Sequence, residues 1–296
     1  MPSRYRGRFA PSPTGPLHFG SVVAAVGSFL EARTRGGEWL LRMEDLDPPR
    51  VAAGAARDIL RTLTACGLDW DGPVVYQSAR GAAYHSALHR LRGLGLVYPC
   101  ACSRREIADS AIAGSEGPVY PGTCRGGIAT GKSTRALRLD TRGASVAFDD
   151  ALQGRIECGL ERESGDFVLY RADGVYAYQL AVVVDDAEQG ITDIVRGADL
   201  LASTPRQIYI QKLLGLPRPG YTHLPVAVNE RGEKLSKQTQ TLPVDAARPL
   251  PTLVAALSFL GQSPPRDLET VSDVWTWAIR NWNLSRVPRV ATAPAP

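Results

Sequence analysis

The sequence predicts an α/β fold: a Rossmann-like parallel sheet, interrupted by a metal-bearing insert and followed by a short helical C-terminal region. Three observations carry this. Arg8-Phe-Ala10 reads as the end of a short strand that runs through a stiff turn (Pro11, Pro13, Gly15, Pro16) into a helix with apolar residues at 22, 23, 26, 29 and 30 on one face. Glu38-Trp-Leu-Leu-Arg-Met43 is a short apolar strand ending in Glu44-Asp-Leu-Asp47 before Pro48 and Pro49. Carboxylates at the C-terminal end of a buried strand lie where open α/β sheets bind ligands. Cys100, Cys102 and Cys124 cluster in mid-chain.

Bulk properties narrow the class. With 296 residues, 44% apolar and 22% charged, the chain has the composition of one large or two modest globular domains. No apolar run approaches a membrane span, and Met1-Pro-Ser-Arg-Tyr-Arg-Gly7 lacks a signal peptide's apolar stretch. A cytoplasmic protein without a membrane partner is expected, and a monomer. A net charge of +4 is compatible with a nucleic-acid partner without being evidence for one. Five cysteines, an odd number with three clustered, favour a metal over disulfides.

The chain enters its first helix at His18-Phe-Gly-Ser21. That places an imidazole, a backbone without a side chain and a hydroxyl at a helix N-terminus, where free N–H groups and the dipole favour a phosphate. Taken alone, His18 reads as a surface residue beside a Pro-rich loop. The whole string Ser12-Pro-Thr-Gly-Pro-Leu-His-Phe-Gly-Ser21, however, resembles the "HIGH" signature of class I aminoacyl-tRNA synthetases. It is most similar to the glutamate/glutamine subclass with its Pro-x-Pro-Thr-Gly lead-in. Phe19 stands for the usual isoleucine and Ser21 for the final histidine. The segment ending in Glu44 resembles that family's Arg-x-Glu-Asp-x-Asp, whose glutamate contacts the substrate's amino group. Asp47 with Pro48 reads equally as a turn.

Residues 57–67 and 82–95 are expected as amphipathic helices, with His85 and His89 on a helix surface. Tyr98-Pro-Cys-Ala-Cys102 and Pro118-Val-Tyr-Pro-Gly-Thr-Cys124 follow. Zinc requires four ligands, and no fourth Cys or His lies in this stretch, so three reduced, unliganded thiols remain an alternative. In the glutamyl-queuosine type of small synthetase a tyrosine supplies the fourth ligand, and Tyr120 occupies that place. Cys66 and Cys158 read as ordinary buried cysteines. Gly126-Gly-Ile-Ala-Thr-Gly-Lys-Ser133 satisfies the Walker pattern, but strand-like 135–139 follows where a P-loop needs a helix, so a chance match is expected. Short strands are expected at 135–139, 145–149 and 154–158.

Strands are again expected at 166–171 and 174–178, followed by the apolar stretch 179–186 and by 190–197. Arg196, alone, could be a surface arginine. Tyr178-Gln-Leu-Ala, Asp185-Asp186 and Val195-Arg-Gly-Ala-Asp-Leu200 resemble the glutamyl subclass, in which the tyrosine and arginine hold the substrate. A guanidinium suits a side-chain carboxylate and rejects a neutral amide. Residues 203–215 read as a helix with a hydroxyl cap, Pro205 in the first turn and Gly215 past the end; 221–229 reads as a strand. Lys234-Leu-Ser-Lys237 resembles the second signature, "KMSKS". Small helices around 255–260 and 274–282 should pack tryptophans into the core.

The expected division is residues 1–99, first half of the catalytic domain; 100–165, the inserted zinc-binding subdomain, which in this family receives tRNA; 166–240, the second half; 241–286, a short helical region; 287–296, a flexible tail. The resemblance implies that Arg8, Phe9, Ala10, Pro11, Ser12, Glu44, Tyr178 and Arg196 hold glutamate. His18, Gly20, Ser21 and Lys237 would bind ATP, with its Mg2+, and His18, Lys234 and Lys237 would serve catalysis. Cys100, Cys102, Tyr120 and Cys124 would hold a structural zinc ion. The implied reaction is tRNA-independent activation of L-glutamate and its transfer to queuosine in the anticodon stem-loop of tRNA(Asp). Two rivals remain: a short synthetase charging the 3′ end of tRNA(Glu), and a non-catalytic nucleotide or amino-acid sensor.

Overall fold

The computed structural model describes residues 4–110, 112–114, 117–234 and 243–295. β1 (Arg6–Phe9) leads into α1 (Phe19–Thr34), β2 (Glu38–Met43), α2 (Ala55–Ala65) and β3 (Val75–Tyr76). The three strands are parallel, in register from Arg6 opposite Glu38 and from Arg42 opposite Val75. Both crossovers therefore pass through a helix, as parallel strands require. Next come α3 (Gly81–Gly93), β4 (Val97–Cys100), α4 (Arg104–Ser110), β5 (Ile112–Gly114), β6 (Gly117–Val119) and β7 (Ala136–Leu139). β8 (Ser145–Asp150), β9 (Gly154–Gly159), α5 (Leu160–Glu163) and β10 (Phe167–Tyr170) complete the middle of the chain. β7 lies between β4 and β10 in an antiparallel sheet, and β8 and β9 form a hairpin.

α6 (Tyr178–Glu188), β11 (Asp193–Gly197), α7 (Thr204–Leu214), β12 (Gly220–Leu224) and β13 (Val226–Val228) return to parallel geometry. β11 and β12 pair from Asp193 opposite Gly220 to Gly197 opposite Leu224, and Tyr221 of β12 also pairs with Asp150 of β8. The Thr192 amide donates to the Arg6 carbonyl at 2.9 Å, which ties the start of β11 to the start of β1. α8 (Pro249–Phe259), α9 (Val271–Asn281) and β14 (Thr292–Pro294) close the chain.

α1 is the hub of the core, with Val22, Val23, Ala25, Val26 and Leu30 buried against β1, β11 and α8. Helix and strand approach so closely that a Cβ at Gly27 would stand 2.5 Å from Leu224 Cδ1. Trp39 is buried and stacks on Phe9, and Trp275 packs on Phe29 while its indole N–H donates to the Cys66 carbonyl at 2.7 Å. The tryptophans thus belong to the core, as do Cys66 and Cys158.

Four local expectations meet a different outcome or a test. Residues 174–178 form no strand: Tyr176 makes a single bridge to Tyr170, and Tyr178 opens α6. Ser203 makes no side-chain capping bond, because a 3-10 turn over Ala198–Ser203 feeds straight into α7. The tail expected to be flexible pairs as β14, parallel to β13, with Val226 opposite Thr292. The Walker-like stretch is followed by β7 with no helix between, and Lys132 pairs with Glu106, so it has no P-loop geometry.

Candidate active site

The turn between β1 and α1, the end of β2 and the ends of β11 and β12 surround a cleft of about 900 Å3. Arg8, Phe9, Ala10, Pro11, Ser12, His18, Gly20, Ser21, Glu44, Tyr178, Arg196 and Lys234 all line it. Lys237 lies outside the described residues. The cleft thus gathers residues from the carboxyl ends of β1, β2, β11 and β12, where open α/β sheets bind ligands.

His18 is the N-cap of α1. The Ser21 amide lies 3.3 Å from His18 Nδ1, and the Ser21 hydroxyl lies 3.1 Å from Nε2. The imidazole is folded over the first turn of the helix. Lys234, at the end of the described loop after β13, pairs with Asp199, which also lines the cleft.

The cleft floor is built from two differently treated arginines. Arg8 is buried and paired with Asp186, which also takes Arg42 Nη1 at 2.9 Å. Burial alone would raise the Asp186 pKa, but Arg8 and Arg42 hold it below the usual carboxylate range. Glu44 lies 3.4 Å from Arg42 Nη2. Burial pushes the Glu44 carboxyl up in spite of Arg42 and Arg8. Behind this layer Asp185 accepts from Gln77 Nε2 at 2.7 Å and the Tyr84 hydroxyl at 2.8 Å, and pairs with Arg80.

Arg196 is also buried, at 5% exposure, yet among the described residues no carboxylate pairs with it. Its Nε donates to His223 Nε2 at 3.1 Å, and its Nη2 to Thr204 Oγ1 and Gln207 Oε1 at 2.8 Å each. Nη1 lies 3.4 Å from the Tyr178 hydroxyl. His223 Nδ1 in turn lies 2.6 Å from Asp150 Oδ2. Burial keeps His223 below its ordinary pKa. Thr204, Gln207, His223 and Asp150 were not legible in the sequence. Arg196 faces His223 across the β11–β12 register, and the two residues stand 27 positions apart.

Away from the cleft, Cys100, Cys102 and Cys124 present sulfurs within 4.8 Å of one another. The Tyr120 hydroxyl lies 3.4 Å from Cys100 Sγ and 3.6 Å from Cys102 Sγ, and Cys102 Sγ lies 3.6 Å from Cys124 Sγ. Tetrahedral zinc, with Zn–S near 2.3 Å and Zn–O near 2.0 Å, requires edges of about 3.8 Å between sulfurs and about 3.5 Å between oxygen and sulfur. The two oxygen–sulfur distances and the Cys102–Cys124 distance match these edges, and the donor chemistry is compatible with zinc. The Cys124 amide donates to the Tyr120 oxygen at 2.9 Å, so that oxygen is already used as an acceptor. His85 and His89 are exposed on α3, as expected.

Residues 4–273 match the family model described as tRNA synthetases class I (E and Q), catalytic domain. A protein of Dechloromonas aromatica (strain RCB) named glutamyl-Q tRNA(Asp) synthetase is 61% identical over 293 residues, covering 98% of this chain and 97% of that protein. One of the same name from Chromobacterium violaceum is 60% identical over 287 residues, covering 96% and 95%. Among solved structures, a glutamate tRNA ligase from Elizabethkingia meningosepticum in complex with its amino acid superimposes with a TM-score of 0.79 at 24% identity, covering 99% of this chain and 67% of that one. The fold is that of the class I synthetases, a mixed α/β architecture with a parallel sheet. No helix among the described residues is long and apolar enough to cross a membrane. By sequence along nearly its whole length, the chain belongs to the class I tRNA synthetases of the E and Q type, a family of ligases, and groups there with proteins named glutamyl-Q tRNA(Asp) synthetase.

Proposed function

We propose that the chain activates L-glutamate with ATP, independently of tRNA, and transfers the glutamyl group to queuosine in the anticodon of tRNA(Asp). The observation that carries the choice of amino acid is Arg196: a buried guanidinium held, among the described residues, by neutral partners leaves its charge for the substrate's side-chain carboxylate. Glutamine, with a neutral amide, would leave that charge uncompensated.

In this reading Arg8, Ala10, Ser12, Glu44, Tyr178 and Arg196 hold glutamate, with Phe9 and Pro11 shaping the wall of the cleft. Glu44 receives the ammonium group. The α-carboxylate attacks the α-phosphorus of magnesium-bound ATP, the bond to pyrophosphate breaks, and glutamyl-adenylate results. His18, Gly20 and Ser21 at the start of α1, with Lys234 and Lys237, accommodate the phosphates as charge moves to the departing pyrophosphate. A hydroxyl of the queuosine ring then attacks the acyl carbon, loses its proton, and AMP leaves. No side chain forms a covalent bond, so rate acceleration rests on placement and charge.

The inserted segment 100–165 is read as contacting tRNA, apart from β8, whose Asp150 lies against His223 beneath the cleft. Cys100, Cys102, Tyr120 and Cys124 would hold zinc, which there supplies a cross-link for the fold. A cytoplasmic monomer completes the proposal.

The test is transfer of labelled glutamate, with ATP, to bulk tRNA from queuosine-replete and queuosine-deficient cells. Label on the replete tRNA alone is expected. Equal label on both would establish 3′-end charging instead, and the absence of label together with the absence of glutamate-dependent pyrophosphate exchange would leave a sensor.

A further inference from the structure

We propose that Asp150 and His223 are positioning residues for Arg196: an imidazole locked in one tautomer aims the guanidinium at the substrate carboxylate without neutralising it. The inference rests on Arg196 being the partner of the glutamate side chain.

The tautomer follows from donor and acceptor chemistry. Arginine Nε can only donate, and Arg196 Nε stands 3.1 Å from His223 Nε2. Nε2 is therefore the acceptor, and the ring proton sits on Nδ1, 2.6 Å from Asp150 Oδ2. The second carboxylate oxygen of Asp150 accepts the amides of Leu152, Gln153 and His223 at 3.0, 2.9 and 3.2 Å. Three amides hold the carboxylate, the carboxylate holds the ring, and the ring holds Nε. Both side chains of the Asp150–His223 pair are fully buried.

The contrast with Arg8 shows what the imidazole accomplishes. Asp186 lies directly on Arg8 and occupies its Nε and Nη2. A carboxylate placed so on Arg196 would take the donors and cancel the charge that the substrate needs. With His223 interposed, the negative charge of Asp150 stays one ring away while the rotation of the guanidinium is still fixed. Thr204 and Gln207 take Nη2, and Nη1 is left beside Tyr178 on the cleft side.

Two substitutions separate this role from packing. In Asp150→Asn the three amides require an oxygen at the Oδ1 position, so the amide nitrogen takes the place of Oδ2 and donates to Nδ1. The ring proton must then move to Nε2, where it meets the Arg196 Nε–H and is left to the Thr204 hydroxyl, also 3.1 Å away, so Nε loses its acceptor. His223→Gln instead keeps an amide oxygen facing Nε. The near-isosteric Asp150→Asn is thus expected to be the more damaging: a KM for glutamate raised about 10- to 100-fold, as for loss of a buried charged hydrogen bond, with the KM for ATP within about 2-fold. His223→Gln should raise the glutamate KM by less. A wild-type glutamate KM in Asp150→Asn, equal increases in both KM values, or a worse defect in His223→Gln would overturn the inference. Glutamate-dependent pyrophosphate exchange by the wild-type protein tests the activation reading separately. Histidine 15N shifts of the wild-type chain need no activity: a protonated Nδ1 at His223 is expected, and a protonated Nε2 would overturn the inference outright.

Discussion

Asp186 grips Arg8 with both carboxylate oxygens, 3.1 Å from Nε and 3.3 Å from Nη2, inside the floor of the cleft. The same carboxylate takes Arg42 Nη1 at 2.9 Å. One anion therefore holds two buried cations, and the loss of its charge removes the ion pair of Arg8 and leaves Arg42 with only its longer contacts to Glu44 and Asp185. Asp186→Asn should destabilise the fold by about 3–5 kcal/mol, the cost typical of breaking a buried pair from one side. Urea unfolding of the variant measures it, and a loss under about 1 kcal/mol would mean that the arginines find other partners.

Asp186 also sets a pH dependence. Arg8 and Arg42 hold its pKa below the usual range against the upward pull of burial, and Asp150 and Asp166 are lowered too, through His223 and Arg125 against the same pull. The unfolded chain, with carboxylates near about 4, takes up protons first on acidification. The stabilisation is thus fully present above about pH 4 and is lost as pH falls through the depressed folded values. Melting temperature against pH should show the wild type falling steeply in that window and Asp186→Asn falling less. Parallel curves would remove Asp186 as a source of the acid loss.

Arg196→Gln tests amino-acid selection. The substitution removes the charge and the fork yet keeps a polar side chain at the cleft wall. Glutamate-dependent pyrophosphate exchange should fall by about 100-fold or more in kcat/KM, as expected when a charge-assisted pair to substrate is lost. Unchanged exchange would transfer the carboxylate to another cation of the cleft.

Much of this site was legible because its residues lie in short local strings. The turn from Arg8 to Ser21 and the strand Glu38–Met43 carry their own punctuation, Pro and Gly in one case and a carboxylate run in the other. α6 was not legible as a helix, because Leu180, Ala181, Val182, Val183 and Val184 are buried in succession. A helix apolar all round has no 3.6-residue period to distinguish it from a buried strand. The pair Asp150–His223 was hidden for another reason: the two residues stand 73 positions apart, and their meeting depends on β8 joining β12. A Pro/Ala-rich tail reads as a linker by composition, yet Ala291 and Ala295 have backbone groups free to pair with β13.

The four-donor cluster makes a metal prediction. If three thiols and the Tyr120 hydroxyl hold one zinc ion as proposed, Cys124→Ser should purify with little zinc and a lower melting temperature, since a structural metal contributes its binding energy to folding. Tyr120→Phe keeps the three sulfurs, so it should retain zinc on purification but lose it to a chelator about 10-fold faster than the wild type. Elemental analysis before and after chelation reads both. Equal loss rates for Tyr120→Phe and wild type would remove the tyrosine from the ligand set.

Truncation after Arg286 tests whether the C-terminal strand is part of the fold. The Val226 amide donates to the Ala291 carbonyl and the Ala295 amide to the Val228 carbonyl, each at 2.9 Å, and Val287 is 2% exposed within the main core. Losing the valine forfeits about 1.5–3 kcal/mol of apolar burial, and each strand bond adds about 1 kcal/mol. A domain of this size then melts about 5–10 °C lower. Val226 and Ala227, which β14 supports, line the cleft near Lys234. The truncated chain should therefore also show a weakened KM for ATP at temperatures where it stays folded. A melting temperature equal to that of the full chain would mean that β13 holds its position without its partner, and the cleft wall would then be set by α1 and β12 alone.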